Sequence, residues 1–238
     1  MTSTHDALLA AILALPEDDV PRLVYADWLE EAGYAERAEF IRLQCELARG
    51  DVTPTDALRL KIREKVLLDR YGKTWLAPMR AKGEALQNSG THGLFYRGFV
   101  ETVWMPAAIF TWKAKKLFAK APVRELRVTR LAGLELGELL LTPEIRHLRT
   151  LDLSTHRIGA GGIQRLNRVG YLFHLQRLRL RRCSLTSDDV EPFLEGPNSG
   201  RNLLELDLSN NPIDEPTIQK LRNRFGSSVN TGPILQGS

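Results

Sequence analysis

Two periodicities divide the chain. Up to about residue 76, apolar residues recur every three to four positions, the spacing that lines them along one side of an α-helix. His5–Leu15 is dense in apolar residues, starts near Thr4 or Asp6 and is stopped by Pro16. Asp18-Asp19-Val20-Pro21 then sets acids and a proline where a helix N-terminus favours them. Leu23, Val24, Trp28 and Leu29 continue that helix to a C-cap at Gly33. A third helix is expected from about Ala35 to Gly50, burying Phe40, Ile41, Leu43 and Leu47. A fourth opens at Thr53-Pro54, uses Leu58, Ile62, Val66 and Leu67, and ends at Tyr71-Gly72, with a short fifth from Trp75. Short connections between them predict a small helical bundle over residues 1–90.

Beyond residue 90 the pattern becomes alternating and repeats itself. Leu148-xx-Leu151-x-Leu153-xx-His156-x-Ile158, Leu175-xx-Leu178-x-Leu180-xx-Cys183-x-Leu185 and Leu203-xx-Leu206-x-Leu208-xx-Asn211-x-Ile213 align, with starts 27 and 28 residues apart. Each strand-like segment is followed by a helical stretch: Gly161–Val169, Ser187–Leu194 and Glu215–Phe225. A weaker unit, Val123-xx-Leu126-x-Val128, starts 25 residues before Leu148. An earlier one at Val100-xx-Val103-x-Met105, with Pro106–Lys120 as its helix, starts another 23 residues upstream. Degraded units are expected at the ends of a stack, where a repeat must cap rather than continue it. The tail Ser227–Ser238 reads as a strand remnant or loose end.

The period and the strand-turn-helix order resemble leucine-rich repeats of the ribonuclease-inhibitor type. That resemblance implies an α/β fold over residues 91–238: a short solenoid of four to five repeats, a right-handed β-α superhelix with a parallel sheet. Cys183 and Asn211 stand where this repeat class uses Cys or Asn to satisfy backbone groups in the turn, and His156 departs from it. The N-terminal third carries a second resemblance. Pro21-Arg22-Leu23-Val24-Tyr25-Ala26-Asp27-Trp28-Leu29-Glu30-Glu31 and Arg37-Ala38-Glu39-Phe40-Ile41-Arg42-Leu43-Gln44 are similar to the bacterial repeat-companion domain, found at the N-terminus of repeat proteins. It covers roughly residues 5–50 and implies no catalytic residue. Tyr25, Trp28 and Phe40 read as packing aromatics, and Asp27, Glu30 and Glu31 as a solvated or helix-contacting face.

Charge sharpens this division. The chain of 238 residues has a formal net charge of +4, yet residues 1–50 hold ten Asp or Glu against four Arg, a balance of −6. Residues 91–238 hold 21 basic and 14 acidic residues, a balance of +7. Aligning the repeats places Trp104, Arg127, Asp152, Arg179 and Asp207 in one outward column of the sheet. Thr102, Glu125, Thr150, Arg177 and Glu205 form its neighbour. With strands about 4.8 Å apart, Arg127, Asp152, Arg179 and Asp207 are expected to form a ladder of alternating sign. Arg177, Arg181 and Arg182 are less matched, and Lys113, Lys115, Lys116 and Lys120 are expected to form a basic helix face.

Nucleic-acid binding needs uncompensated cations, which the ladder disfavours. No GxSxG, dinucleotide fingerprint or GK[ST] phosphate loop is present, and Gly159-Ala160-Gly161-Gly162 falls at a repeat turn. Cys45 and Cys183 match no metal or redox spacing, and the five histidines are isolated. The expectation is a cytoplasmic, monomeric, non-enzymatic protein-binding module with no cofactor, metal, small-molecule substrate or membrane. It would bind an unknown protein on the concave face through Trp104, Arg127, Asp152, Arg177, Arg179, Arg181, Glu205 and Asp207. The alternative is a regulator of an enzyme, an inhibitor or a GTPase activator.

Overall fold

The computed structural model describes residues 3–77, 92–168, 174–195 and 202–232. These divide into two compact units: residues 3–77, 93–103 and 116–123, and residues 92, 104–115 and 124 onward.

The first unit contains α1 (Thr4–Ala14), α2 (Val20–Glu31), α3 (Ala35–Arg49) and α4 (Pro54–Leu76). Helix α1 starts at a reciprocal cap, in which Ser3 Oγ accepts from the Asp6 N–H and the Asp6 carboxylate accepts from the Ser3 N–H. Gly50, with φ of 73°, supplies the left-handed residue that ends α3. Helix α4 does not break at Gly72, so the separate fifth helix expected from Trp75 is one helix with the fourth. Tyr71 and Trp75 stack across one turn at 5.4 Å, and Trp75 packs on Phe40 at 4.8 Å. Burying these rings outweighs the roughly 1 kcal/mol that a mid-helix glycine costs.

After α4 the described chain resumes with β1 (His92–Tyr96), adjoining β2 (Phe99–Met105). Only two residues, Arg97 and Gly98, join them, both with positive φ (47° and 84°). That is an antiparallel hairpin closed by a mirror-image turn. The strand expected near Val100–Met105 is present, but its partner β1 was not anticipated.

Side chains of the N-terminal helices hold this turn. The Gly98 N–H donates to Gln44 Oε1 at 2.7 Å, and its carbonyl accepts from Arg37. Arg22 is fully buried and donates to the carbonyls of Pro16 (2.7 Å) and Arg97 (3.0 Å) and to Glu101 (2.6 Å). Arg97 reaches back to the carbonyls of Pro16 and Glu17 at 3.0 and 2.7 Å. The Arg37 guanidinium lies 4.8 to 5.5 Å from the ring centres of Phe40, Trp75, Phe95 and Phe99, and burial there lowers its pKa to about 10. Phe99 completes a core with Ile12, Tyr25, Leu29 and Ile41. These ties are why residues 93–103 belong with the helices and the division does not follow a single cut after residue 90. Asp27 and Glu30 both accept from Arg42, at 2.7 and 2.6 Å, so they fasten α2 to α3.

In the second unit β3 (Glu125–Val128), β4 (Thr150–Asp152), β5 (Arg177–Arg179), β6 (Glu205–Asp207) and β7 (Val229–Asn230) lie side by side in chain order, with parallel pairing. Leu126, Leu151, Leu178 and Leu206 are in register and buried, as are Leu153, Leu180 and Leu208 beyond the strands. Between strands run α6 (Glu135–Leu141), α7 (Gly159–Arg168), α8 (Ser187–Leu194) and α9 (Glu215–Phe225), while α5 (Ala107–Phe118) follows β2. Helix α6 was not anticipated: Leu136, Leu139 and Leu140 are its buried face, but Leu141 beside them is exposed and blurs the period. Strand β7 shows that part of the tail after Ser227 joins the sheet; Val169 and residues 233–238 lie outside the described residues.

The turns after β4, β5 and β6 share one backbone feature. Thr155, Arg182 and Asn210 take left-handed backbone (φ 70°, 52° and 60°) just before His156, Cys183 and Asn211. Asn211 donates to the carbonyls of Leu180 and Leu208 and accepts from the N–H groups of Cys183 and Leu185. His156 at the equivalent place makes one such bond, to the Leu153 carbonyl at 3.1 Å. Cys183 is buried, its Sγ 3.4 Å from that same carbonyl, and burial pushes its thiol up to about 11.

Candidate interaction surface

Because successive side chains of a strand point to opposite faces, burying the leucines forces the residues between them outward. The register places Glu125 beside Thr150, Arg177 and Glu205, and Arg127 beside Asp152, Arg179 and Asp207. The two outward columns of these strands therefore stand as expected. Trp104 is half-buried, with the Arg127 guanidinium 4.9 Å from its ring centre. Arg177 and Arg181 are exposed, Arg179 and Glu205 half-buried, and Asp207 is buried.

The alternating ladder does not form as a row of pairs. Asp152 and Asp207 turn to their own backbones and accept from the N–H groups of Ser154 and Ser209 at 2.9 and 3.0 Å. An aspartate two residues before a turn N–H reaches it without strain, which is the common Asx arrangement. The arginines pair with the longer glutamates of the neighbouring column instead. Arg127 Nε lies 2.5 Å and Arg179 Nη1 3.2 Å from Glu125 Oε1. Arg179 Nε lies 3.0 Å from Glu205 Oε1, and Arg177 Nε 3.5 Å from Glu205 Oε2. The bonds from Arg179 to Glu205, with the charges of Glu205, Glu125 and Asp152, raise the Arg179 pKa above the ordinary arginine value. Arg181 lies over the end of the next repeat, its Nε 3.1 Å from Ser209 Oγ and 3.6 Å from Asp207.

Glu125 thus bridges two arginines on strands two apart, a role its place in the neighbouring column could have suggested. Ser154 and Ser209 also contribute, through Ser154 Oγ accepting from the Arg181 N–H and Ser209 Oγ facing the Arg181 guanidinium. The basic helix face is narrower than expected, because Lys113 is buried beside Trp112 while Lys115 and Lys116 are exposed. Both cysteines are free and buried. Among the described residues, no three His, Cys, Asp or Glu side chains come together as a metal site. No helix among them is long and apolar enough to cross a membrane.

Comparison with known protein families identifies leucine-rich repeats at residues 144–166 and 202–224. The first match spans β4 and most of α7, and the second spans β6 and most of α9. No curated protein and no solved structure matches the chain.

Proposed function

We propose that this chain is a non-enzymatic protein-interaction module, and that another protein docks on the outward face of the β3–β6 sheet. The chain is read as a helical repeat-companion unit followed by a short ribonuclease-inhibitor-like solenoid, with the sheet on its concave side. Leucine-rich repeats commonly serve as protein-interaction modules, and stacked repeats use such sheets as extended binding surfaces. One observation carries the assignment to this face. Arg127, Arg177, Arg179, Glu125 and Glu205 are held in strand register and tied to one another, so a polar surface is ordered before any partner arrives. The same pairing argues against nucleic acid, because each of these cations has a carboxylate within 3.5 Å and a phosphate backbone requires uncompensated charge.

A photo-cross-linking amino acid placed at Arg177, and in a second protein at exposed Lys220 on α9, tests the reading in the native cell. Discrete adducts are expected from position 177 that disappear on protease treatment. Adducts from position 220 alone, or adducts removed by nuclease, would overturn it.

A further inference from the structure

The outward face is layered by charge. The carboxylates lie low, with side-chain exposures of 19% for Glu125, 30% for Glu205 and 7% for Asp207. Three of the arginines stand over them, at 38% for Arg127, 45% for Arg177 and 53% for Arg181. Each of these three spends its Nε on the layer beneath: Arg127 on Glu125, Arg177 on Glu205, and Arg181 on Ser209 and Asp207. Their terminal Nη groups have no hydrogen-bond partner among the described residues. A guanidinium anchored at Nε keeps its outer N–H groups as a flat fork that fits the two oxygens of a carboxylate. The stack of Arg127 on Trp104 leaves those in-plane groups available.

The acceptors beneath are largely committed. Glu125 Oε1 serves both Arg127 and Arg179, Glu205 serves Arg177 and Arg179, and one oxygen of Asp207 holds the Ser209 N–H. The surface therefore offers donors and few acceptors, although its four arginines are balanced by Glu125, Asp152, Glu205 and Asp207. A balanced face does not draw a polyanion from a distance, but its forks still bind oxygens that arrive in pairs.

We infer that the partner presents an acidic protein segment to this face, with carboxylates received by the outer guanidinium groups of Arg127, Arg177 and Arg181. The inference rests on the proposed interaction role of the same face. Arg127 and Arg177 lie on strands two apart and two residues out of register, which sets their backbones about 12 Å from each other. Arg177 and Arg181 are four residues apart along β5 and its continuation, about 13 Å at an extended rise. Two acids four apart on an extended chain, at about 13 Å, come close to both spacings.

The test selects a random 16-residue peptide display library on the intact chain and measures the winning peptides by fluorescence anisotropy in 150 mM salt. Expected winners carry paired Asp or Glu at these spacings. Their affinity should fall roughly 10- to 100-fold with Arg177→Gln/Arg181→Gln, or when the peptide's Glu are changed to Gln. Arg177→Lys/Arg181→Lys keeps the charge and should still lose several-fold, because an ammonium cannot form the fork. Winners without acids that remain sensitive to Arg177→Gln/Arg181→Gln keep the interaction face and overturn the acidic partner. Acidic winners indifferent to these substitutions, or no winner sensitive to them, overturn both readings. A 20-nucleotide oligothymidylate that outcompetes the peptides on this face also overturns the acidic partner.

Discussion

Gly98 is the residue on which the first unit should depend most steeply. It closes the β1–β2 hairpin with φ of 84°, and a Cβ there would stand 2.5 Å from Ile41 Cγ1 and 2.8 Å from Ile41 Cα. Because Cα belongs to the α3 backbone, turning a side chain cannot relieve the contact. Left-handed backbone costs an L-residue about 1–2 kcal/mol, and forcing a methyl into packed surroundings typically adds about 1–3 kcal/mol. Displacing the turn also strains the bond its N–H donates to Gln44 and the one its carbonyl accepts from Arg37. Gly98→Ala is therefore expected to destabilise the first unit by roughly 3 kcal/mol or more. Gly33 supplies the control, since its φ is 86° but a Cβ there meets nothing within 4 Å. Gly33→Ala should cost about 1–2 kcal/mol, from backbone strain alone. Urea unfolding in a Trp104→Phe/Trp112→Phe background leaves Trp28 and Trp75, both in the first unit, as the fluorescence reporters. With a difference of about 1–3 kcal/mol and about 1–3 kcal/mol per molar urea, Gly98→Ala should lower the midpoint by roughly 0.3–3 M beyond Gly33→Ala. Equal midpoints for the two variants would refute the argument that close packing on Ile41 fixes this turn.

Arg22 and Glu101 form a buried pair at 2.6 Å, and without Arg22 the Glu101 carboxylate keeps only a longer contact of 3.8 Å to Arg97. Arg22→Met should cost about 3–5 kcal/mol in the same urea assay, with part of that recovered in Arg22→Met/Glu101→Leu, since the carbonyls of Pro16 and Arg97 still lack their bonds from Arg22. A double variant no more stable than the single one would refute the stranded-charge account. Asn211→Ala removes partners from two carbonyls and two N–H groups. A loss of roughly 3 kcal/mol is expected, and faster amide exchange at Cys183 and Leu185 is its specific signature. Thr155 is β-branched, exposed and left-handed at φ of 70°. Thr155→Gly should stabilise the second unit by about 1 kcal/mol, and a thermal midpoint that falls instead would show that the threonine side chain supports the turn.

What the sequence revealed follows from how often each feature recurs. The strands of the second unit were legible because leucines at fixed offsets return after 25, 27 and 28 residues, so each unit supports the placement of the next. Their outward columns were legible for the same reason, since a parallel register with period two leaves no freedom in which residues align. The pairings within those columns were not, because reach and competition decide them. Aspartate is short and sits two residues from a turn N–H, so Asp152 and Asp207 close on their own backbones, while glutamate is long enough to reach across strands. The hairpin before the repeats is a single copy with no period to expose it, and its only local signal was Arg97-Gly98 between alternating segments. Arginine itself carried the least information. Arg22 and Arg37 lie in helical sequence and end in carbonyls and aromatic rings, whereas Arg177 and Arg181 alternate with buried leucines and end in solvent. In the first setting the guanidinium binds the protein's own turn; in the second its outer N–H groups face solvent. That difference depends on which backbone packs overhead, and only the assembled fold supplies it.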